Sequence, residues 1–403
     1  MQNNYAIINT CDFGSTGKIA IGLLEFLKSK GENAIFCYGR GQKHTSDDRY
    51  LFSSNAEVIM HYANNKITGQ LNSSSQFATR RLIMKLRQRN VKNIFLINLH
   101  GFYLNEKMFL DYLVSDQINV VYIMADESAF LGNCTYRNGC ENYLRQCLDC
   151  PRQRGIAKFL FPNASKSAFL KKQQAYKAIS NIVFVAPEFV IKSSADAPLL
   201  EGKMTSIVDE AIDVRVNHPK DSTLLRHKLG IADDAIVIGC VAPYSYERKG
   251  VRYLIEAARK LQNDKRFVFV QVGYDSQDKS QLPSNYIPIG YISNQEELTD
   301  YYSLADLFVF PSLQDTMPNA CLEALACGSP LLCFDTSGMP YIADETVMTL
   351  VEPKNVDQMV DAIVNTQKKT EQTIKVCRDY ALNRYDNQKY FSRLIEIMNR
   401  FNN

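Results

Sequence analysis

Two carboxylates that flank the start of a predicted helix have the clearest chemical potential in this chain. Asp315 lies in a polar loop after a short apolar strand, Leu307 to Phe310, and Glu323 follows eight positions later. Pro318 and the helix formers after it predict a helix that ends at Gly328. Free N–H groups and the helix dipole favour an anion at such a helix start. A ligand whose phosphates bind the backbone amides and whose hydroxyls bind the two carboxylates would be a sugar nucleotide. From spacing alone, a capping Asp315 and a solvated Glu323 explain the pattern equally well.

A glycine-rich segment near the N-terminus is a second candidate for ligand binding. Thr10 to Lys18 is predicted to be a loop between a strand and a helix that begins at Ile19. It matches neither the dinucleotide fingerprint nor the P-loop. The loop therefore either binds phosphate or sugar or is only a tight turn, and its candidate ligand-binding residues are Gly14, Ser15, Thr16 and Gly17.

His100 and Lys249 stand where α/β folds place ligands. His100 ends a predicted strand, although a lone histidine there is more often structural. Lys249 precedes a helix predicted to begin at Val251, where its charge would serve a bound diphosphate. An exposed lysine that only caps the helix is the alternative.

The stretch from Phe308 to Pro330 resembles the acidic motif of the retaining GT-B glycosyltransferases of group 1. In that family two acidic residues lie eight positions apart and precede Ala-Leu/Met-Ala-Cys-Gly-x-Pro. Asp315 and Glu323 have this spacing, and Ala324 to Pro330 matches the run. The first acid is usually Glu, and Asp with a following Pro-Asn resembles a family 4-like subgroup that builds bacterial polysaccharides and O-antigens.

The resemblance implies specific roles at the second half of the chain. It implies that Asp315 contacts the donor sugar, that Glu323 binds the ribose, and that Lys249 binds the diphosphate. Arg248 stands in for an arginine that the family has several residues earlier. The resemblance also implies that the backbone amides of Asn319 and Ala320, directly after Pro318 in the binding segment, hold the diphosphate. Tyr291 would pass beside the nucleobase.

One position departs from the family pattern. A His-Asp pair commonly follows the strand that ends near Met124, and here Asp126 matches the Asp while Ala125 replaces the His. Alanine can neither donate a hydrogen bond nor transfer a proton. Another group takes the role, or the chemistry is weaker, or activity is lost.

Four cysteines fall within seventeen residues and are a candidate metal site. Four thiols ending in C-x-x-C could bind a structural zinc ion tetrahedrally, whereas free thiols and disulfides are the alternatives. No metal or other cofactor is expected to be needed for catalysis, because the protein supplies the positive charge. We call residues 134–150 the cysteine segment; its thiols are Cys134, Cys140, Cys147 and Cys150.

Composition limits the classes of partner and compartment. The 403 residues have a net charge of +3, so neither charge nor any motif indicates a nucleic-acid partner. The N-terminus lacks the layout of a signal peptide, and no apolar run is long enough to span a bilayer, so we expect a cytoplasmic protein. Residues 77–90 and 151–187 are locally basic with interspersed apolar side chains. They form either a solvated face or a patch for anionic lipid headgroups on the inner face of the membrane.

The alternating strands and helices predict an α/β protein, and the resemblance implies the GT-B architecture, two Rossmann-like doubly wound domains facing across a cleft. Residues 1–208 would form the acceptor-side domain, completed by a helix in 385–403, and residues 209–384 the nucleotide-sugar-binding domain. Residues 42–60 are polar and expected to be loop-rich.

The predicted function is transfer of a sugar, with retention, from a nucleoside-diphosphate sugar to a glycan or lipid-linked acceptor in bacterial surface polysaccharide synthesis. The alternatives are a catalytically silent nucleotide-sugar-binding scaffold, which Ala125 favours, and a GT-B sugar-nucleotide epimerase.

Overall fold

A computed structural model describes residues 4–151, 161 and 163–401. The chain forms two compact units. Unit 1 comprises Met1–Val208 and Gln388–Asn403, and unit 2 comprises Asp209–Asn387. Each contains a parallel β-sheet with helices, so the predicted fold of two Rossmann-like domains is confirmed.

Unit 1 has a seven-stranded sheet of order β3-β2-β1-β4-β5-β6-β7, and every pairing is parallel. The strand order reverses between β1 and β4, which is where doubly wound folds bind ligands. The strands are β1 (Asn4–Cys11), β2 (Asn33–Arg40), β3 (Arg49–Leu51), β4 (Asn93–Leu96), β5 (Asn119–Ile123), β6 (Ile182–Ala186) and β7 (Met204–Ile207).

The helices of unit 1 correct one sequence prediction and refine another. The first helix begins at Gly14 rather than Ile19, so the predicted glycine-rich loop is mostly the helix's first turn. Residues 42–60 are loop-rich as expected, but a short strand and the start of a helix with a Ser54–Glu57 capping box also lie there. The helices are α1 (Gly14–Ser29), α2 (Asn55–Thr68), α3 (Gln76–Gln88), α4 (Glu106–Ser115), α5 (Ala164–Ala178) and α6 (Glu188–Ser194).

Unit 2 has a six-stranded parallel sheet of order β10-β9-β8-β11-β12-β13, which reverses between β8 and β11. Its strands are β8 (Ile236–Val241), β9 (Phe267–Val272), β10 (Tyr286–Ile289), β11 (Leu307–Phe310), β12 (Leu331–Phe334) and β13 (Met348–Val351). Its helices are α7 (Thr223–Lys228), α8 (Val251–Lys260), α9 (Gln295–Leu304), α10 (Asn319–Ala326), α11 (Val356–Val364) and α12 (Glu371–Arg384).

The last helix, α13 (Asn387–Asn399), belongs almost entirely to unit 1. Phe391 packs against the ring of Phe26 on α1, with the ring centroids 5.6 Å apart. Gly22 lies under the same ring, because a Cβ there would come within 2.9 Å of it. An apolar contact thus fixes the end of the described chain to the first helix.

Among the described residues, no helix is long and apolar enough to cross a membrane.

Candidate active site

The carboxylate of Asp315 binds two cations at the carboxyl end of the unit 2 sheet. Lys249 Nζ lies 3.0 and 3.1 Å from its two oxygens, and Arg248 Nη1 donates to Oδ1 at 2.8 Å. The hydroxyl of Ser312 donates to Oδ2 at 2.6 Å. These residues follow β8 and β11, the two strands at which the sheet order reverses. The structure therefore brings together Arg248, Lys249 and Asp315, which the sequence predicted to serve one ligand.

Backbone contacts hold the two loops of this cluster against each other. Leu313 N donates to Arg248 O at 2.7 Å, and the Arg248 side chain returns to Gln314 O at 2.8 Å. Gly250, with φ +67°, approaches the Pro311 carbonyl so closely that a Cβ would overlap it. A side chain at Gly338 would likewise overlap the Thr316 carbonyl. The loops are therefore fixed by close approach that only glycine allows.

The cluster keeps the Asp315 carboxylate ionised although it is almost completely buried. Burial alone would raise the pKa of Asp315, but the charges of Lys249 and Arg248 and the Ser312 hydrogen bond lower it below its ordinary value. Only 15% of the Lys249 side chain is exposed, so the alternative of an exposed capping lysine does not hold. Two cations against one carboxylate leave net positive charge for an anionic ligand.

Helix α10 begins directly after this loop. Pro318 is its N-cap, and Asn319 and Ala320 form its first turn without a side-chain cap. The amide oxygen of Asn319 is buried and has no hydrogen-bond partner. Unsatisfied amides at a helix start and a cationic cluster a few residues away suit a phosphate-bearing ligand.

Glu323 lies inside the protein, so its interpretation as a solvated surface residue is wrong. It is only 4% exposed, and Tyr302 on α9 donates its hydroxyl to Glu323 Oε2 at 2.6 Å. Burial and the charge of Glu323 raise the pKa of Tyr302 well above its ordinary value, so the tyrosine remains a donor. Tyr302 therefore fixes the orientation of the Glu323 carboxylate.

Tyr291 is not part of this arrangement. Its side chain is 84% exposed after β10. Its predicted place beside a nucleobase stays a prediction.

Unit 1 contains a histidine–aspartate pair at the carboxyl end of its own sheet. His100 Nε2 lies 2.6 Å from Asp126 Oδ2, and Ser128 N donates to Asp126 Oδ1 at 2.8 Å. His100 follows β4 and Asp126 follows the neighbouring strand β5. A histidine from the adjacent strand thus contacts the aspartate whose usual neighbour is replaced by Ala125.

The pair is coupled by charge. Burial would lower the pKa of His100, but the charge and hydrogen bond of Asp126 raise it above its ordinary value. Burial would raise the pKa of Asp126, whereas His100 and Ser128 lower it. Both groups are thereby biased towards their charged forms. Nearby, buried Lys172 donates to Ser128 O at 2.9 Å and Leu131 O at 3.0 Å, which fixes the segment after β5.

The first turn of α1 lies close to the end of β1. A Cβ at Gly17 would come within 2.6 Å of the Asp12 backbone, so glycine is needed there. Thr16 accepts from Asn9 at 3.2 Å, whereas Gly14 and Ser15 open the helix without a side-chain cap. Asp12 Oδ2 lies 3.1 Å from His44 Nε2.

The cysteine segment contains free, partly buried thiols rather than disulfides. Burial is the main cause that raises the pKa of Cys147 to about 11, so this thiol stays protonated at neutral pH. No group of three or more His, Cys, Asp or Glu arranged to hold a metal ion is found within the described ranges, and zinc binding stays a prediction.

Three contacts in these sites escaped the sequence analysis. Ser312 and Tyr302, which orient the two acids of unit 2, lie 3 and 21 residues from them in the chain. The Asp12–His44 pair joins positions 32 apart. Only Ser312 had a usable signal, because it lies in the same polar loop as Asp315.

Comparison with known proteins indicates the class to which these sites correspond. Residues 235–368 match the family described as glycosyl transferases group 1. Over 210 residues the chain is 30% identical to the putative teichuronic acid biosynthesis glycosyltransferase TuaC of Bacillus subtilis (strain 168), covering 51% of each chain. The chain spans about half the length of the curated relatives it matches, or less.

Solved structures extend the likeness in fold to the whole chain. Sucrose-phosphate synthase from Thermosynechococcus elongatus matches with a TM-score of 0.70 at 12% identity, covering 99% of both chains. Anabaena Alr3699/HepE in complex with UDP-glucose matches with a TM-score of 0.60 at 14% identity, covering 98% of this chain and 99% of that one. The identities are low, so these matches establish the fold alone.

Proposed function

We propose that this chain, whose second unit matches the group 1 glycosyl transferases over residues 235–368, transfers a sugar from a nucleoside-diphosphate sugar to a glycan or lipid-linked acceptor. The observation that carries the proposal is the Arg248–Lys249–Asp315 cluster before the start of α10. TuaC is described as a teichuronic acid biosynthesis glycosyltransferase, which supports a role in bacterial surface polysaccharide synthesis.

In this proposal unit 2 binds the donor. Lys249 and Arg248 bind the diphosphate together with the N–H groups of the first turn of α10. Glu323, oriented by Tyr302, accepts hydrogen bonds from the ribose. The solved HepE complex contains UDP-glucose, which supports a donor of this class for this fold.

Charge stabilisation is the main contribution of unit 2 to the reaction. The bond between the anomeric carbon and the diphosphate oxygen breaks, and the leaving diphosphate gains negative charge. The acceptor oxygen bonds to the same carbon, and its proton passes to the leaving diphosphate. Lys249 and Arg248 stabilise the leaving group, and Asp315 positions both cations. In this scheme the fixed cations replace a metal ion. The resemblance to group 1 implies retention of configuration at the anomeric carbon.

Unit 1 serves the acceptor in this proposal. His100, held by Asp126, takes the hydrogen-bonding role that Ala125 cannot perform. The first turn of α1 allows close approach of a ligand to the backbone at Gly14, where no heavy atom lies within 4 Å of the Cβ position.

A thermal-shift screen against nucleoside diphosphates and their sugar conjugates tests the proposal first. We expect one conjugate to stabilise the protein, and the Glu323→Ala variant to lose that response. Turnover with acceptors then separates an enzyme from a silent binder, and interconversion of the conjugate without an acceptor would identify an epimerase. The absence of stabilisation by any of these compounds would contradict a donor site.

A further inference from the structure

Helix α2 has its polarity inverted relative to an ordinary surface helix. An amphipathic helix on a sheet normally buries its apolar stripe, but the one residue that α2 buries is His61. Ala56, Ile59, Met60 and Ile67 share a stripe of helical spacing on the exposed side, and Met60 is 70% exposed. The sequence is therefore amphipathic with its apolar face outward.

Polar contacts on the inner side hold this orientation. His61 Nδ1 lies 2.8 Å from Ser75 Oγ, and its Nε2 lies 2.8 Å from Leu71 O. Asn64 Nδ2 donates to Ser74 Oγ at 2.9 Å. Rotation of the helix to bury its apolar stripe would leave these polar groups unsatisfied, which costs free energy. The outward apolar face is thus a stable feature of the fold.

Helix α3 extends the same kind of surface. Phe77, 70% exposed, and Met84 lie on its outer side, whereas Leu82 and Leu86 are buried. Six of the eighteen large apolar side chains that are exposed in the described residues lie on α2 and α3. Such a local concentration of exposed apolar side chains, six on 27 residues, is typical of an interaction surface. We name it the α2–α3 face: Ile59, Met60, Tyr62, Ile67, Phe77 and Met84.

The charges around this face are almost all positive. The one acid on the two helices, Glu57, is paired with Arg81 at 2.6 Å. Lys66 Nζ lies 5.1 Å from the ring centroid of Tyr62, and the Arg80 guanidinium carbon lies 5.8 Å from that of Phe77. Each aromatic ring therefore has a cation beside it that can reach an anionic headgroup while the ring enters the acyl boundary.

We propose that the α2–α3 face docks on an anionic lipid bilayer. Helices with outward apolar side chains and adjacent cations have the chemistry of interfacial membrane binding. At about 21 Å for 14 residues, α2 would lie in the plane of the surface. The inference needs no nucleotide, but it deepens the proposed function by favouring a lipid-linked acceptor.

Co-sedimentation of the full chain with vesicles tests the proposal. We expect binding to phosphatidylcholine vesicles that contain phosphatidylglycerol, loss of binding in high salt, and no binding to phosphatidylcholine alone. The Met60→Ser and Phe77→Ser changes should each weaken binding about tenfold, since each removes a large exposed apolar side chain that the bilayer would bury. The Lys66→Ser and Arg80→Ser changes should each weaken vesicle binding about five-fold.

A matched control and two other readouts complete the test. Leu224→Ser removes an apolar side chain that is 85% exposed on α7 of unit 2, and it should leave binding unchanged. No binding, equal binding to both vesicle types, or equal loss in the control would overturn the proposal. Dimerisation in solution that the same variants abolish would also overturn the proposal, because the face would then bind a second copy of the chain. A nucleotide sugar should still stabilise every variant against heat. Such stabilisation would show that a failure of membrane binding is distinct from a failure of the donor site.

Discussion

Replacement of Lys249 by methionine removes one cation from the buried carboxylate and leaves the aliphatic stem in place. The Lys249 side chain is 15% exposed and that of Asp315 is 8% exposed. Loss of one partner from a buried pair usually costs about 3–5 kcal/mol. Arg248 and Ser312 remain on the carboxylate, so we expect a smaller loss of about 2 kcal/mol in the free energy of unfolding at neutral pH.

The pH dependence of this loss identifies its cause. The folded-state pKa of Asp315 is lowered, so its contribution to stability is present above the unfolded pKa and is lost as pH falls through the folded pKa. Removal of Lys249 raises that folded pKa. The difference between wild type and Lys249→Met should therefore be largest at neutral pH and should shrink as pH falls below the ordinary aspartate value of 3.8.

Urea unfolding at several pH values measures this difference, and Lys260→Met is the matched control. Lys260 pairs with Asp357 in the same unit, but their side chains are 43% and 82% exposed, so that variant should lose much less stability than Lys249→Met. Lys249→Met should also lower turnover about a hundredfold, the usual loss for one transition-state charge contact. Equal destabilisation in the two variants, or a Lys249 effect independent of pH, would refute the buried ion-pair argument. Near-normal turnover would remove Lys249 from the site.

Three further predictions concern the other acids and thiols. Glu323→Ala should abolish donor binding with the fold retained. Tyr302→Phe should weaken binding by about fivefold to tenfold, because one hydrogen bond that orients the carboxylate is lost. Calorimetry with the stabilising nucleotide sugar checks both variants, and unchanged affinity would contradict the ribose role of Glu323. His100 should titrate above its ordinary pKa of 6.5, and the stability it gains from Asp126 should be present below that pH and disappear as pH rises through the raised pKa. An NMR titration should show a lower His100 pKa in Asp126→Asn, whereas an unshifted midpoint would disprove the coupling. If the cysteine segment is a zinc site, metal analysis should find about one zinc ion per chain, and a metal-free protein with every thiol reactive would exclude it.

The fold and the donor-side cluster could be predicted because their signals are local. Strand β11 was predicted with its observed bounds, Leu307–Phe310, from a continuous apolar run before a proline. Asp315 and Glu323 lie within one strand–loop–helix unit, so their spacing in sequence largely determines their relation in space. Lys249 follows a different strand, and the prediction that it serves the same ligand required the family resemblance.

The features that the sequence did not reveal depend on contacts between distant segments or on a helix whose apolar face points outward. Helix α2 was missed because residues 42–60 are polar and its apolar stripe does not face the core; the Ser54–Glu57 capping box was the available signal. His100 and Asp126 were each singled out, but their contact follows from the pairing of β4 with β5. Sequence spacing alone does not reveal such a side-by-side arrangement of strands.

The return of the last helix to unit 1 has a consequence for biosynthesis. Ile212 N donates to Tyr385 O at 3.0 Å and Asn387 N donates to Ile212 O at 3.1 Å, so the departing and returning segments pair within unit 2. Unit 2 is thus a continuous insertion in a discontinuous unit 1. During translation, which proceeds from the N-terminus, the α1 surface that receives Phe391 stays uncovered until the whole insertion has left the ribosome. A nascent chain stalled within unit 2 would therefore expose Phe26 to chaperones or to other chains.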